Sequence, residues 1–152
     1  MAVRYLPGLN ITASDADIIT NTVNTVGVMG KGVALDFKTT YGDAVMKPYL
    51  AAIRDGRLKP GRCILLPLPD GRQWAALATK EHWRFPSQLA WIQSGVAQLA
   101  ELARKAGAKR VALPPPGCGN GGLDWRVVEP IVLAAFDGVC DLDITARSTL
   151  TV

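Results

Sequence analysis

The stretch NTVNTVGVMGKGVALDFK, residues 21–38, passes through three kinds of segment in quick succession. Just upstream and into it, Ala16 to Asn21 (ADIITN) is apolar and β-branched, the composition of a buried strand. Val33 to Tyr41 then reads as a helix. Between them lies Gly27-Val28-Met29-Gly30-Lys31-Gly32. A glycine loop that joins a buried strand to a helix is an anion site in the making. Glycine lets the backbone come close to a ligand, successive N–H groups converge, and the helix N-terminus adds partial positive charge. The residue order argues against an ordinary triphosphate loop. That loop needs Gly-Lys-Ser/Thr so that a hydroxyl can hold magnesium, and here Lys31 is followed by Gly32.

The same alternation continues outward. VRYLP is a short strand candidate near the N-terminus. Asp43 is placed to cap a helix running to about Arg54 and stopped by Gly56. RCILLPLP and QWAALAT flank a PDGR turn and read as a strand pair. Ser87 follows Pro86 as a helix start, and Leu89, Ile92, Val96, Leu99 and Ala103 form one apolar stripe until Gly107. KRVALPPPG is a strand that runs into a second glycine loop, Gly117-Cys118-Gly119-Asn120-Gly121-Gly122. Asp124 can cap the last helix, which Pro130 should bend, and CDLDITA closes as a strand. RSTLTV makes no closing element. Alternating strands and helices predict an α/β sandwich around a mostly buried sheet. Both glycine loops would then lie at one sheet edge, where such folds bind ligands.

The totals narrow the field. The chain has 152 residues, enough for one domain with its own core. Hydrophobic residues make up 49% and charged residues 20%, and no apolar run approaches a membrane span. MAVRYLPGLN lacks the apolar core of a secretory signal. Cys63, Cys118 and Cys140 stand far apart, as reduced cytoplasmic thiols do, and His82 is the single histidine, so no zinc pattern exists. The formal charge of +4 is compatible with an anionic ligand but does not demand one. A nicotinamide fold is a weak reading, because Gly117, Gly119 and Gly122 begin a dinucleotide fingerprint too far down the chain.

ADIITNTVNTVGVMGKGVALDFK and VALPPPGCGNGGLDW together resemble the macrodomain family, which binds ADP-ribose. ALATKEHWRFPSQLAWIQSGVAQL is similar to one subgroup of macrodomain glycohydrolases, that of the animal terminal ADP-ribose glycohydrolase and the bacterial DarG antitoxins. The co-occurrence of TK-HWR and GCGNGGLDW places the likeness on the DarG side. The resemblance runs from about Val3 to Ile144. It implies a three-layer α/β/α sandwich with a mixed, mostly parallel sheet. It also implies a single macrodomain over residues 1–152, expected to be the N-terminal part of a longer chain.

The resemblance also implies a site. Asn10 and Ile11 would meet the adenine end, with Asn10 where many macrodomains carry an aspartate. Asn21, Thr22 and Asn24 would approach the distal ribose. Val28, Met29, Gly30, Lys31 and Gly32 from the first loop would hold the diphosphate and ribose together with the second loop: Pro116, Gly117, Cys118, Gly119, Asn120, Gly121 and Gly122. From spacing alone, the two asparagines read first as stabilisers of the turn rather than as ribose contacts. Lys80, the lysine of the TK pair, would be catalytic, as a nucleophile or as an ammonium that stabilises charge or protonates the leaving base. His82, Trp83 and Arg84 would contact the nucleobase and DNA, Trp83 packing either on a base or into the core.

The implied activity is removal of ADP-ribose from thymidine bases of single-stranded DNA, without cofactor or metal, in a cytoplasmic monomer. The implied partners are ADP-ribose, ADP-ribosylated single-stranded DNA and a cognate ADP-ribosyltransferase toxin. A non-catalytic ADP-ribose reader and a hydrolase of ADP-ribosylated protein or small ADP-ribose derivatives stay open. The animal enzyme's catalytic aspartate falls at Gly121, so a lysine–aspartate pair of that kind is not expected.

Overall fold

A computed structural model describes residues 1–150 of the chain. Six strands form one sheet: β1 (Val3–Tyr5), β2 (Ile18–Asn24), β3 (Cys63–Pro67), β4 (Gln73–Lys80), β5 (Arg110–Leu113) and β6 (Asp141–Ile144). Their spatial order is β1-β6-β5-β2-β4-β3. Every neighbouring pair is parallel except the β3–β4 hairpin. Four helices cover it: α1 (Gly32–Tyr41), α2 (Asp43–Arg54), α3 (Leu89–Ala106) and α4 (Trp125–Phe136). The result is the three-layer sandwich with a mixed, mostly parallel sheet.

The strands are buried on both faces, and alternation sends their side chains to two separate cores. Ala75 and Leu77 of β4 join Ile92, Val96, Leu99 and Ala103 of α3 and Val128, Val132 and Phe136 of α4. Trp74, Ala76 and Ala78 of the same strand join Phe37 of α1 and Val45, Tyr49 and Ala52 of α2. Three alanines in β4, Ala75, Ala76 and Ala78, let helices approach closely on either side. The stripe along α3 is as its spacing demands. Gly107, at φ 68°, ends that helix in the left-handed region.

Several expected boundaries move. Strand β2 runs three residues past Asn21, so Asn24 is its last residue rather than a residue beyond it. The segment Thr22-Val23-Asn24 is paired to β4, which a sequence pattern cannot show. Asp43 lies within the first turn of α2, and Gly42 precedes the helix without any side-chain cap. Ser87 does not start α3: Gln88 flanks it, and the Ser87 hydroxyl is buried with no partner. Asp124 does cap α4, accepting from the Arg126 N–H at 2.9 Å. Helix α4 runs through Pro130 as one element. Arg147 to Leu150 form no helix or strand, but they dock on α4: the Trp125 indole donates to the Arg147 carbonyl and the Thr149 N–H to Glu129. The last two residues of RSTLTV lie outside the described ones.

A buried carboxylate ties the β1 edge to the sheet. Asp143 of β6 is 1% exposed and accepts from Arg4 Nε and Nη2 and from Arg110 Nη1, each at 2.8 Å. Burial alone would raise its pKa, but the bonds from the two guanidinium groups outweigh it and hold the carboxyl below its ordinary value. Its stabilisation is therefore present above the unfolded carboxylate range, about pH 4, and lost as pH falls through the folded pKa. Asp143→Asn should destabilise the domain by about 2–3 kcal/mol at pH 7, less than for a fully buried pair because both arginines reach water. Urea unfolding at pH 7 and pH 3 checks this: the gap to the wild type should narrow at the acid value.

Candidate functional site

Parallel strands bring their carboxyl ends to one edge. Asn24 of β2 and Lys80 of β4 are register partners there, across an irregularity between Val23 and Asn24. Such a bulge re-aims a side chain. Asn24 thereby turns toward α2, where the buried Tyr49 hydroxyl lies 2.7 Å from its main-chain carbonyl and 2.9 Å from its Oδ1. Burial pushes the Tyr49 phenol well above its ordinary pKa, so it remains a neutral donor.

The Asn24 amide then builds the first glycine loop. Its Oδ1 accepts from the N–H groups of Val26 and Gly27 at 3.2 Å and of Val28 at 3.3 Å. Its Nδ2 donates to the Val28 carbonyl at 2.8 Å. The turn-stabilising reading of Asn24 is thus correct, while its side chain also lines the cleft. Asn21 is different: it lies mid-strand, fully buried, its Nδ2 against the Met29 sulfur at 3.8 Å and its Oδ1 without a partner.

The second loop follows β5 through Pro114 and Pro115. Gly117 has φ 76°, and a Cβ there would also press on Ile92. Gly121 has no room for a side chain, because a Cβ would strike the Gly117 carbonyl and the Ser87 hydroxyl. The aspartate that the animal relative carries at this position therefore has no space in this loop. Asp124 does not replace it, being engaged with the Arg126 N–H and guanidinium.

Both loops line one cleft of about 570 Å³. Thr22, Asn24, Val28, Gly30, Lys31, Gly32, Gly117, Gly119, Asn120 and Gly121 line it, as do Lys80 and Trp83. Asn21, Met29, Pro116, Cys118 and Gly122 support or flank the walls without lining them. Sequence reasoning missed Val23, Val33, Ala34, Thr79, Pro114 and Pro115. The TK and PPP runs were the available signals for three of them. Asn10 and Ile11 do not line this cleft. Asn10 is exposed and caps the short 3-10 helix Ile11–Ala13, its Oδ1 accepting from Thr12 N–H at 3.1 Å and Thr12 Oγ1 at 2.7 Å. Its carbonyl oxygen is thus already engaged, and Ile11 is core.

Lys80 ends β4 with 9% of its surface exposed, and its Nζ donates to the Trp83 carbonyl at 3.2 Å. Burial, and then the charge of nearby Lys31, hold its pKa below the ordinary lysine value. No carboxylate lines the cleft among the described residues. No group of three or more His, Cys, Asp or Glu suited to a metal occurs among them either. The walls therefore offer backbone donors, two lysines and no negative side chain, which suits an anionic ligand. Trp83 is not core: half its surface is exposed at the rim, beside His82 and Arg84, neither of which lines the cleft.

The Lys31 effect can be tested alone. In Lys31→Met the Lys80 pKa should rise toward its ordinary value yet stay below it, because burial persists. NMR titration of ¹³C-methylated lysines reads the shift, and an unmoved Lys80 resonance would show that the Lys31 charge does not reach it.

The family model described as "Macro domain" matches residues 20–132. A DNA ADP-ribosyl glycohydrolase of Mycobacterium tuberculosis is 39% identical over 137 residues, covering 88% of this chain and 39% of that protein. One of Thermus aquaticus is 38% identical over 143 residues, covering 90% of this chain and 39% of that protein. The chain thus spans about two fifths of the length of these curated relatives. Among solved structures, the macrodomain of Mycobacterium tuberculosis DarG superposes with a TM-score of 0.87 at 38% identity, covering 96% of this chain and 98% of that one. Thermosipho africanus DarTG in complex with ADP-ribose gives 0.80 at 31% identity, covering 88% of this chain and 39% of that one. With the sheet order, both glycine loops and these matches agreeing, the chain belongs to the macro domain family and is similar within it to the DarG macrodomains.

Proposed function

We propose that this domain is a DNA ADP-ribosyl glycohydrolase that removes ADP-ribose from thymidine bases of single-stranded DNA and so counters a cognate ADP-ribosyltransferase toxin. The observation that carries the reading is the placement of Lys80. It stands at the end of β4, in register with Asn24, inside the cleft that both glycine loops line. The relatives' names supply the DNA linkage, and one of them, from Thermosipho africanus, is a fusion of the transferase with the glycohydrolase.

The diphosphate would rest on the two loops, with Lys31 as counter-charge, and the distal ribose would reach Lys80. The direction of the Lys80 shift makes the amine more accessible than in an ordinary lysine. A neutral amine at the anomeric carbon is a nucleophile: as its electron pair forms the C–N bond, the glycosidic bond breaks and its pair leaves with the base. Water then attacks the same carbon as the C–N bond breaks and its pair returns to the amine; the proton that water sheds goes to the departed base, leaving ADP-ribose and unmodified DNA. Among the described residues, no carboxylate lines the cleft to take over either role. Adenine would lie toward Asn10 and Ile11, where the engaged Asn10 oxygen leaves recognition of the adenine amine to other groups.

An oligonucleotide carrying ADP-ribosylated thymidine tests the activity. The wild type should release unmodified DNA. Lys80→Ala should lose roughly three orders of magnitude in kcat while still binding ADP-ribose. With an amine nucleophile, kcat/KM, which reports the free enzyme, should climb with pH and level off above the folded Lys80 pKa. In Lys31→Met that limb should move to higher pH. A rate that falls across this range would instead assign Lys80 the ammonium role. Bound ADP-ribose with no release by any form would leave a reader domain.

The loop placement has its own test. A Cβ on Gly119 meets nothing within 4 Å, so Gly119→Val should fold normally. Its side chain would stand where the ligand lies, and calorimetric affinity for ADP-ribose should fall by roughly a hundredfold or more. Unchanged affinity would reject the assignment of this loop to the ligand.

A further inference from the structure

We propose that Phe85 is a stacking platform for the nucleobase next to the modified one, outside the cleft. This rests on the reading of the substrate as modified single-stranded DNA. Phe85 is 60% exposed and does not line the cleft, whereas Trp83, 50% exposed, does. The His82 ring joins them, with centroids 5.1 Å from Trp83 and 5.3 Å from Phe85. Three rings therefore lead from the cleft wall onto the surface.

The platform is set before any ligand arrives. The Phe85 N–H donates to the His82 carbonyl at 3.1 Å, and the Arg84 N–H to His82 Nδ1 at 3.0 Å. Thr25 Oγ1 donates to the Glu81 carbonyl at 3.2 Å, and the Ser87 N–H to the Gly121 carbonyl at 2.9 Å, so the turn is pinned to both glycine loops. Exposed aromatic rings held in this way lose little entropy when a flat partner stacks on them.

The charge beside the rings selects a nucleic acid. The Arg84 guanidinium lies 5.3 Å from the Trp83 ring centroid, and no carboxylate pairs with it among the described residues. Its charge is held beside the one ring of the three that lines the cleft, within reach of a phosphodiester of a strand entering there. Stacking on an aromatic side chain needs an unstacked base, which a single strand offers and a duplex withholds, and it tolerates any base identity. An acidic protein surface would use the arginine but would leave the exposed ring cluster unexplained.

Phe85→Ala separates the possibilities, since a ring that is mostly in water contributes little to folding. Two substrates are compared: ADP-ribosylated thymidine within an oligonucleotide, and the ADP-ribosylated thymidine nucleoside alone. Phe85→Ala should lose roughly tenfold in kcat/KM on the oligonucleotide, through KM, and nothing on the nucleoside. Phe85→Trp should restore the oligonucleotide value. Equal effects on both substrates, or none on the oligonucleotide, overturn the platform. So does weakened binding of a transferase toxin with oligonucleotide affinity unchanged. If the wild type turns over neither substrate, the activity fails and the platform is still read by calorimetry: Phe85→Ala should weaken binding of the modified oligonucleotide about tenfold and leave free ADP-ribose unaffected.

Discussion

One carboxamide organises the ligand end of this domain. Asn24 closes β2, accepts from three consecutive N–H groups of the loop that follows, and sits against the buried Tyr49 hydroxyl of α2. The loop can then present its other face to a ligand, because the side of its backbone nearest the sheet is already satisfied. Without that anchor the glycines between Asn24 and α1 would carry a large conformational entropy into every binding event. The bulge that turns Asn24 toward α2 also leaves its register partner, Lys80, at the cleft. Loop shape and lysine position therefore share one origin in the β2–β4 pair.

The second dependence is electrostatic. A lysine with 9% exposure and a single carbonyl contact is an expensive thing to keep charged, and a neighbouring cation makes it more so. Neither lysine has a carboxylate to settle against within the cleft. An anionic ligand supplies what the fold withholds. A negatively charged ligand held against Lys31 would also weaken the repulsion that Lys31 exerts on Lys80.

The sandwich and both loops were legible because they rest on periodicity and glycine placement. The α3 stripe has one spacing and one buried face, and β4 is an apolar run bounded by a turn. What stayed hidden depended on distant partners. Thr22, Val23 and Asn24 look like the start of a turn until β4 and Tyr49 are in place. Ser87 has every local mark of a helix start, yet its N–H bonds Gly121 and the helix begins after Gln88. Lys80 taken alone is a strand-end lysine of the solvated kind, and only the TK-HWR resemblance singled it out. Its burial comes from the turn that folds Trp83 back over it. Phe85 sat in plain view beside that motif, but nothing in the sequence tells an exposed aromatic from a packed one.

Gly121 places this site at some distance from the animal glycohydrolase in sequence space. A side chain there would have to displace both the Ser87 hydroxyl and the Gly117 carbonyl. Trimming Ser87 would clear the first obstacle but not the second, since a main-chain carbonyl cannot be trimmed. A carboxylate can enter the loop only if its backbone is redrawn, so an isolated Gly121→Asp change would be penalised before it could assist chemistry. As long as the loop keeps this path, position 121 stays closed to any side chain.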